Sequence, residues 1–261
     1  MDQLNASRGT VGKALAILDE VAAIGRPVRF TELLENLHFP KATLYRFLQT
    51  LTNQGMLSYD HDRQVYALGV HLVRLAHAAW QQSSLAPVAR PHIDALSKKI
   101  GQTVHLAMLD NGQVLYVDKR NAVSPVEMFS QAGKVGPSYC TGVGKAMLAF
   151  LDGPQRDRAI KQQAFHRYTA NTITSAEALK AELQEIRKAG IAFDREEHEP
   201  HIICIAAPIL AQNGRVLGGL SVTSSTRSYS LDDLKKLKPE LTATARLIAG
   251  DAESWIFPDR K

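Results

Sequence analysis

Four side chains between residues 41 and 46 carry the clearest chemistry in the chain. Lys41, Thr43, Tyr45 and Arg46 share the polar side of a segment whose other side is Leu44, Phe47, Leu48 and Leu51, the apolar stripe of one helix. Arg46 is long enough to pair bidentately with a guanine edge or a phosphate. Lys41, near the helix start, suits a phosphate, while Thr43 and Tyr45 can touch base methyls or the nucleic-acid backbone. Phosphate contacts position a protein and base contacts specify a sequence; residue type alone does not divide these four between the two roles. No acid stands between Asn36 and Tyr59. Further on, Arg63 and Gln64 sit at the tip of a polar loop, placed for phosphates or a minor groove, although Asp60 and Asp62 beside them would repel a phosphate backbone.

Other constellations fail as catalytic signatures. Gly142-Val143-Gly144-Lys145 invites comparison with a phosphate loop, but that pattern requires Gly at 139 and Ser or Thr at 146, where the chain has Tyr139 and Ala146. What remains is a glycine-bearing helix start, whose free backbone N–H groups can bind an anion. Cys204 as a nucleophile needs a nearby base, and His201, three residues earlier on an expected strand, points to the opposite face. Cys140 and Cys204 make neither a CxxC site nor a disulfide framework. His198 and His201 are close, but spacing fixes no third metal ligand, with His105 and His166 far along the chain. No base–nucleophile pair, carboxylate pair or cofactor fingerprint emerges. The expectation is a protein without catalytic residues, metal or cofactor, and not an enzyme.

The elements that position these residues read as two groups. Val11, Ala14, Leu15, Leu18, Val21 and Ala22 recur at helical spacing up to Gly25. Thr31 is placed to cap a short second helix burying Leu34 and Leu37, His38 and Phe39 make a turn, and Pro40 opens the helix of Lys41 to Arg46, which Gly55 stops. Met56–Tyr59 and Val65–Leu68 read as strands around a polar wing, and a helix follows from Val70 to about Trp80. This is the layout of a winged helix-turn-helix, whose second helix enters a DNA major groove. After the polar QQSSLAP segment, a helix runs through Val88, Ile93, Leu96 and Ile100. Strands Thr103–Leu109 and Gln113–Lys119 flank Asn111-Gly112, a strong hairpin signal, and a third strand is expected to include Val126 and Met128. Helices follow at Gly142–Leu151 and Gln155–Lys161, and one from a Thr174/Glu177 capping box to Lys188, closed by Gly190. Strands Ile202–Ile209 and Val216–Val222 surround Asn213-Gly214, and Ser230 with Asp233 starts a final helix to about Ala249.

The fold class is therefore α+β: an N-terminal winged helix-turn-helix, a linker helix, and a C-terminal mostly antiparallel sheet with packed helices. The expected divisions are residues 1–69, 70–83 for the linker helix and connection, 84–250, and a tail at 251–261. Composition agrees, since 261 residues with 45% apolar content fill two ordinary cores and exclude disorder. The net charge is +5, but acids and bases nearly balance in residues 1–80, so tight DNA binding must sum contacts from several protomers. Met1 to Thr10 is polar, unlike a signal peptide, and no run approaches about 18 uncharged apolar residues. The chain is expected to be soluble and cytoplasmic, with no membrane partner.

Over nearly its whole length the chain resembles the IclR-type bacterial transcriptional regulators. The resemblance is carried by FPKATLYRFLQTLTNQGML followed by YALG, then GQTVHLAMLDNGQVLYVDK, TGVGKAMLA, NTIT before an acidic helix, and AFDREEHE leading into CIAAPI. Their order and spacing together are specific. The resemblance implies that residues 84–250 form an effector-binding and oligomerisation domain taking a small, usually acidic, metabolite, with the wording of these segments most like regulators of sugar-acid or keto-acid catabolism. It implies a homodimer or a dimer of dimers on a palindromic double-stranded operator, repressing or activating a catabolic operon, with repression the expected sign. Carried over residue by residue, the amides of Gly142 and Val143 hold the effector's carboxylate and Asp194 accepts from a ligand hydroxyl. Ser221 and Thr223 donate to its oxygens, and Cys204 lines the wall. Met128, Tyr139 and Cys140 are further candidates for shaping that space. His201 departs from the pattern, since many relatives carry Gly there, and a larger side chain would narrow the pocket or alter its approach. Two other readings remain open at this point: an enzyme acting on a small keto or hydroxy acid, and an effector-independent architectural DNA-binding protein.

Overall fold

The computed structural model describes residues 9–83, 85–122 and 128–253. The chain divides into two compact units, residues 1–82 and 83–261.

In the first unit, helix α1 (Thr10–Ile24) ends at Gly25, whose φ of 69° suits a residue without Cβ. Strand β1 (Val28–Arg29), helix α2 (Phe30–Leu37) and helix α3 (Lys41–Asn53) follow, then strands β2 (Leu57–Asp60) and β3 (Val65–Leu68) and helix α4 (Val70–Ser83). The three strands form an antiparallel sheet in the order β1-β3-β2. Ile17, Leu33, Leu44, Leu48 and Leu57 are buried in its core, with the α3 stripe as expected. Three details differ from the sequence reading. Thr31 does not cap α2: the helix begins at Phe30, and Glu32 Oε1 accepts from the Arg29 N–H at 2.9 Å, which puts Thr31 inside the first turn. Leu33, not Leu34, is the fully buried partner of Leu37. On α1, Val11 and Leu15 are 73% and 54% exposed, and Ala16, Ile17, Leu18 and Val21 face the core instead.

The second unit opens with helix α5 (Ala86–Ile100) and strands β4 (Thr103–Asp110), β5 (Gln113–Arg120) and β6 (Val135–Gly136). Helices α6 (Gly142–Phe150), α7 (Gly153–Lys161) and α8 (Ala176–Ala189) come next. Strands β7 (Ala192–Arg195), β8 (Ile202–Leu210) and β9 (Val216–Ser225) precede helices α9 (Leu231–Lys236) and α10 (Lys238–Glu253). The six strands pair antiparallel in the order β6-β5-β4-β9-β8-β7. Because side chains alternate across a strand, the sheet has two distinct faces. Val104, Leu106, Ile203, Ile205, Leu220 and Val222 make an apolar face, and α5 and α10 pack on strands of the sheet and on each other. The opposite face carries polar groups and is covered by α6. A Cβ at Gly219 of β9 would press on Val143 Cγ2 and Met147 Cγ, so α6 lies almost on the strand backbone.

Corrections fall mostly at irregular places. Val126 lies outside the described residues, and Met128 is buried but belongs to no strand. The chain reaches the β5 edge only after a turn in which Lys134 N–H donates to Gln131 O at 3.0 Å and Gly133 N–H to Tyr116 O at 2.7 Å. Helix α8 is capped by Ser175, whose Oγ accepts from Ala178 N–H at 3.2 Å, one residue beyond the expected Thr174. The Ser230/Asp233 capping box forms, yet the last helix breaks at Leu237. The break falls just before Pro239, which has no N–H to continue the i to i−4 ladder.

Candidate functional site

On α3, Lys41, Tyr45 and Arg46 are exposed and Thr43 is half-buried. Tyr45 Oη accepts from Gln49 Nε2 at 3.0 Å, and the Arg46 guanidinium lies 5.9 Å from the Phe47 ring centre. At the wing, Asp60 Oδ1 accepts from the N–H groups of Asp62 and Arg63, both at 3.0 Å. This carboxylate thus organises the wing turn, and Arg63 and Gln64 stay exposed, Gln64 at a φ of 55°. Lys41, Tyr45 and Gln64 border one hollow of about 810 Å³ between α3 and the wing strands. Thr43, Arg46 and Arg63 lie outside its lining.

In the second unit, strand register gathers the other candidates. Asp194 pairs with Cys204, Cys204 with Thr223, and Thr223 with Thr103, so these four share one face. Ser221, opposite both Ala206 and His105, shares it too. The start of α6 closes over this face. A Cβ on Gly142 would collide with Cys204 Sγ and sit 3.2 Å from Asp194 N. The backbone of Gly142 therefore lies against the Cys204 sulfur. Burial pushes the thiols of Cys204 and Cys140 up, well above the range of a nucleophilic cysteine.

Behind this face lies a buried charge network. Asp194 Oδ1 accepts from Glu197 N–H at 2.7 Å, and burial together with the neighbouring Glu197 pushes its carboxyl up to about 7. Lys145, one turn into α6 and wholly buried, places Nζ 2.5 Å from Glu197 Oε1 and 3.3 Å from Glu182 Oε1. Burial raises the Glu197 carboxyl, and its Oε2 has no hydrogen-bond partner among the described residues.

His201 is not on a strand. It precedes β8 at a φ of 64°, its side chain is exposed, and its N–H donates to Glu196 Oε2 at 2.9 Å. That left-handed backbone is the conformation glycine adopts freely, so histidine at this position replaces the residue that the turn accommodates most easily. Among the described residues no three His, Cys, Asp or Glu side chains gather as metal ligands, and no helix is long and apolar enough to cross a membrane.

Comparison with known proteins bears on both units. The IclR helix-turn-helix domain matches residues 10–61, and the C-terminal domain of bacterial transcriptional regulator IclR matches residues 77–249. The chain belongs to the IclR family of bacterial transcriptional regulators. It is 32% identical to the HTH-type transcriptional regulator KdgR of Escherichia coli K12 over 251 residues, covering 95% of each chain. It is 28% identical to the transcriptional repressor IclR of the same strain over 213 residues, covering 81% of this chain and 78% of that one. Among solved structures, the IclR protein of Thermotoga maritima superposes with a TM-score of 0.76 at 29% identity, covering 92% of this chain and 97% of that one. These proteins are transcriptional regulators, not enzymes, and this IclR-family chain is a DNA-binding regulator of the same kind.

One residue of the polar face escaped the sequence reading. His105 on β4, set aside there as remote from His198 and His201, lies beside Thr223: its Nδ1 is 3.2 Å from Thr223 Oγ1 and its Nε2 is 2.9 Å from Ser130 Oγ. Burial, with Lys119 nearby, pushes its pKa down to about 3, so the ring is neutral, with one nitrogen donating and the other accepting. No local pattern marks this histidine, because only the β4–β9 register brings it to Ser221 and Thr223.

Proposed function

We propose that this IclR-family protein is a ligand-responsive repressor of a catabolic operon whose effector is a small organic acid, such as a sugar acid or a keto acid. The observation that carries the reading is the convergence of Asp194, Cys204, Ser221 and Thr223 on one sheet face beneath the start of α6. A carboxylate there would take the Gly142 and Val143 amides at the helix start, which suit an anion. Ser221 and Thr223 would donate to its remaining oxygens, Asp194 would accept from a ligand hydroxyl, and Cys204 would form the wall. Repression is supported by two similar proteins named as repressors, IclR of Escherichia coli and the acetate operon repressor of Salmonella typhimurium.

In this reading residues 1–69 read the operator, 70–83 form the linker, 84–250 bind effector and oligomerise, and 251–261 are a tail. Lys41, Thr43, Tyr45 and Arg46 meet the major groove, with Arg63 and Gln64 at the wing. A dimer or a dimer of dimers on a palindromic operator, acting in the cytoplasm, multiplies these few contacts. The exposed Val11, Leu15, Val70 and Val73 offer apolar surface for a second copy. Effector relieves repression by binding better to the arrangement that does not fit DNA.

Thermal unfolding against a panel of sugar, keto and small aromatic acids tests the proposal, each stabilising acid then being titrated into a complex with DNA from upstream of the gene. Saturable stabilisation that also lowers DNA affinity is expected. DNA binding that persists unchanged while no acid shifts the melting would sink the acid-effector reading.

A further inference from the structure

The hollow between α3 and the wing is lined not only by Lys41, Tyr45 and Gln64 but also by Arg29, Phe30 and Thr31, from the junction of β1 and α2. In a duplex, a major groove and the adjoining minor groove are separated by a single sugar–phosphate strand. If α3 occupies the major groove and the wing tip the minor groove beside it, that strand must cross the space between them. The hollow of about 810 Å³ between α3 and the wing offers such a space.

Its chemistry fits such an occupant. Arg29 and Thr31 are exposed at its border, as is Lys41. Glu32, an acid beside Arg29, is already committed. It accepts from the Arg29 backbone N–H at 2.9 Å and pairs with the Arg26 guanidinium at 2.6 Å, which holds its carboxyl down at about 2. Arg26 therefore offsets Glu32, and Arg29 and Lys41 leave the border positive. The rings of Phe30, Tyr45, Tyr59 and Tyr66 supply apolar lining suited to deoxyribose.

We infer that Arg29 and Thr31 bind the sugar–phosphate strand that crosses between recognition helix and wing, Arg29 by a charge-assisted bond to a phosphate and Thr31 by a hydroxyl bond. The inference rests on α3 and the wing being the DNA-contacting face. Arg29 then acts as a sequence-independent clamp that sets how α3 sits in its groove.

The test uses the full-length protein and two labelled duplexes, one from upstream of the gene and one of mixed sequence, titrated over a series of KCl concentrations. Arg29→Ala is expected to weaken both duplexes alike and to lower the slope of log affinity against log salt by about 0.9 for each phosphate no longer neutralised. Arg29→Lys should keep most of the slope, and Thr31→Val should weaken binding without changing it. Arg46→Ala is the control for the face itself. If Arg46→Ala weakens binding while Arg29→Ala leaves slope and affinity intact, the clamp is wrong and the DNA-contacting face stands. If both substitutions are silent in a folded protein, the face is misassigned and the clamp falls with it. A loss confined to the upstream duplex would make Arg29 a base reader and overturn the phosphate assignment.

Discussion

Asp194 shows how strongly the interior acts on a single side chain. Burial, with Glu197 adding to it, moves its carboxyl from 3.8 to about 7. Between those values the native chain holds a proton that the unfolded chain has released. The contribution of Asp194 to stability is therefore full below pH 3.8 and is lost as pH rises through about 7, by about 1.4 kcal/mol for each unit of offset. Asp194→Asn keeps an oxygen to accept from Glu197 N–H but cannot titrate. Its melting temperature should depend less on pH across this window and exceed that of the unmodified chain above it; Glu197, raised in the same direction, retains some slope. Parallel melting profiles for the two proteins would refute the assignment. His105 supports a second expectation. His105→Leu leaves the buried hydroxyls of Thr223 and Ser130 without their shared partner, at a cost of about 1–3 kcal/mol for each group left unsatisfied. Urea denaturation measures the loss, and a stability within error of the unmodified chain would show that these hydroxyls find other partners. Asp194, Cys204, Ser221 and Thr223 differ from this histidine in one respect. Those four were named by the family resemblance, the strand register brings them to one face, and their effector role is proposed. His105 stands in GQTVHLAMLDNGQVLYVDK, a segment that carries the resemblance, but no role was attached to it and its partner is 118 residues away.

At the scale of elements, the start of α6 fits closely against the sheet. Gly142 meets Cys204 Sγ and the Asp194 backbone with no room for a methyl group. Gly142→Ala must push the helix off the sheet or rotate Cys204, and overpacking of this kind costs about 1–3 kcal/mol. Pairing it with Cys204→Ala should recover part of the loss, a coupling that a double-mutant cycle on thermal or urea melts would detect. Strict additivity of the two substitutions would mean that the collision is relieved elsewhere. Long periodic helices and the Asn111-Gly112 hairpin were legible from local rules. That turn places both residues at positive φ, 48° and 76°, as a two-residue hairpin of this type needs. The errors came where tertiary context chose among near-equal local options: Ser175 over Thr174 as a cap, the break before Pro239, and the short strands β1, β6 and β7. A strand of two or four residues carries too little alternation to announce itself, and exists because a longer neighbour offers an edge.

At the scale of the whole molecule, each unit has its own buried apolar cluster. One is built on Ile17, Leu33, Leu44 and Leu48, the other on Tyr139, Val143, Met147 and Leu183. Two groups of elements in this order were legible from composition and motif order, whereas the fitting of α6 onto the sheet depends on backbone approach that residue types do not encode. Separate cores allow separate melting, and ligands acting on different units should then act on different transitions. A ligand present at about 100 times its Kd stabilises the state it binds by about 2.7 kcal/mol. In differential scanning calorimetry, an organic acid that binds beneath α6 should raise the transition belonging to residues 83–261, and a DNA duplex should raise the one belonging to residues 1–82. The two can be assigned independently, since Gly142→Ala should lower only the former and a substitution of buried Leu48 only the latter. An acid that raised the DNA-binding transition, with the other unchanged, would place its site in the winged unit and overturn the proposed effector pocket. A single transition moved by both ligands would instead show that the units unfold together. Even then, the acid's stabilisation should be lost in Thr223→Val and kept in Arg46→Ala, so the location of its site stays open to test.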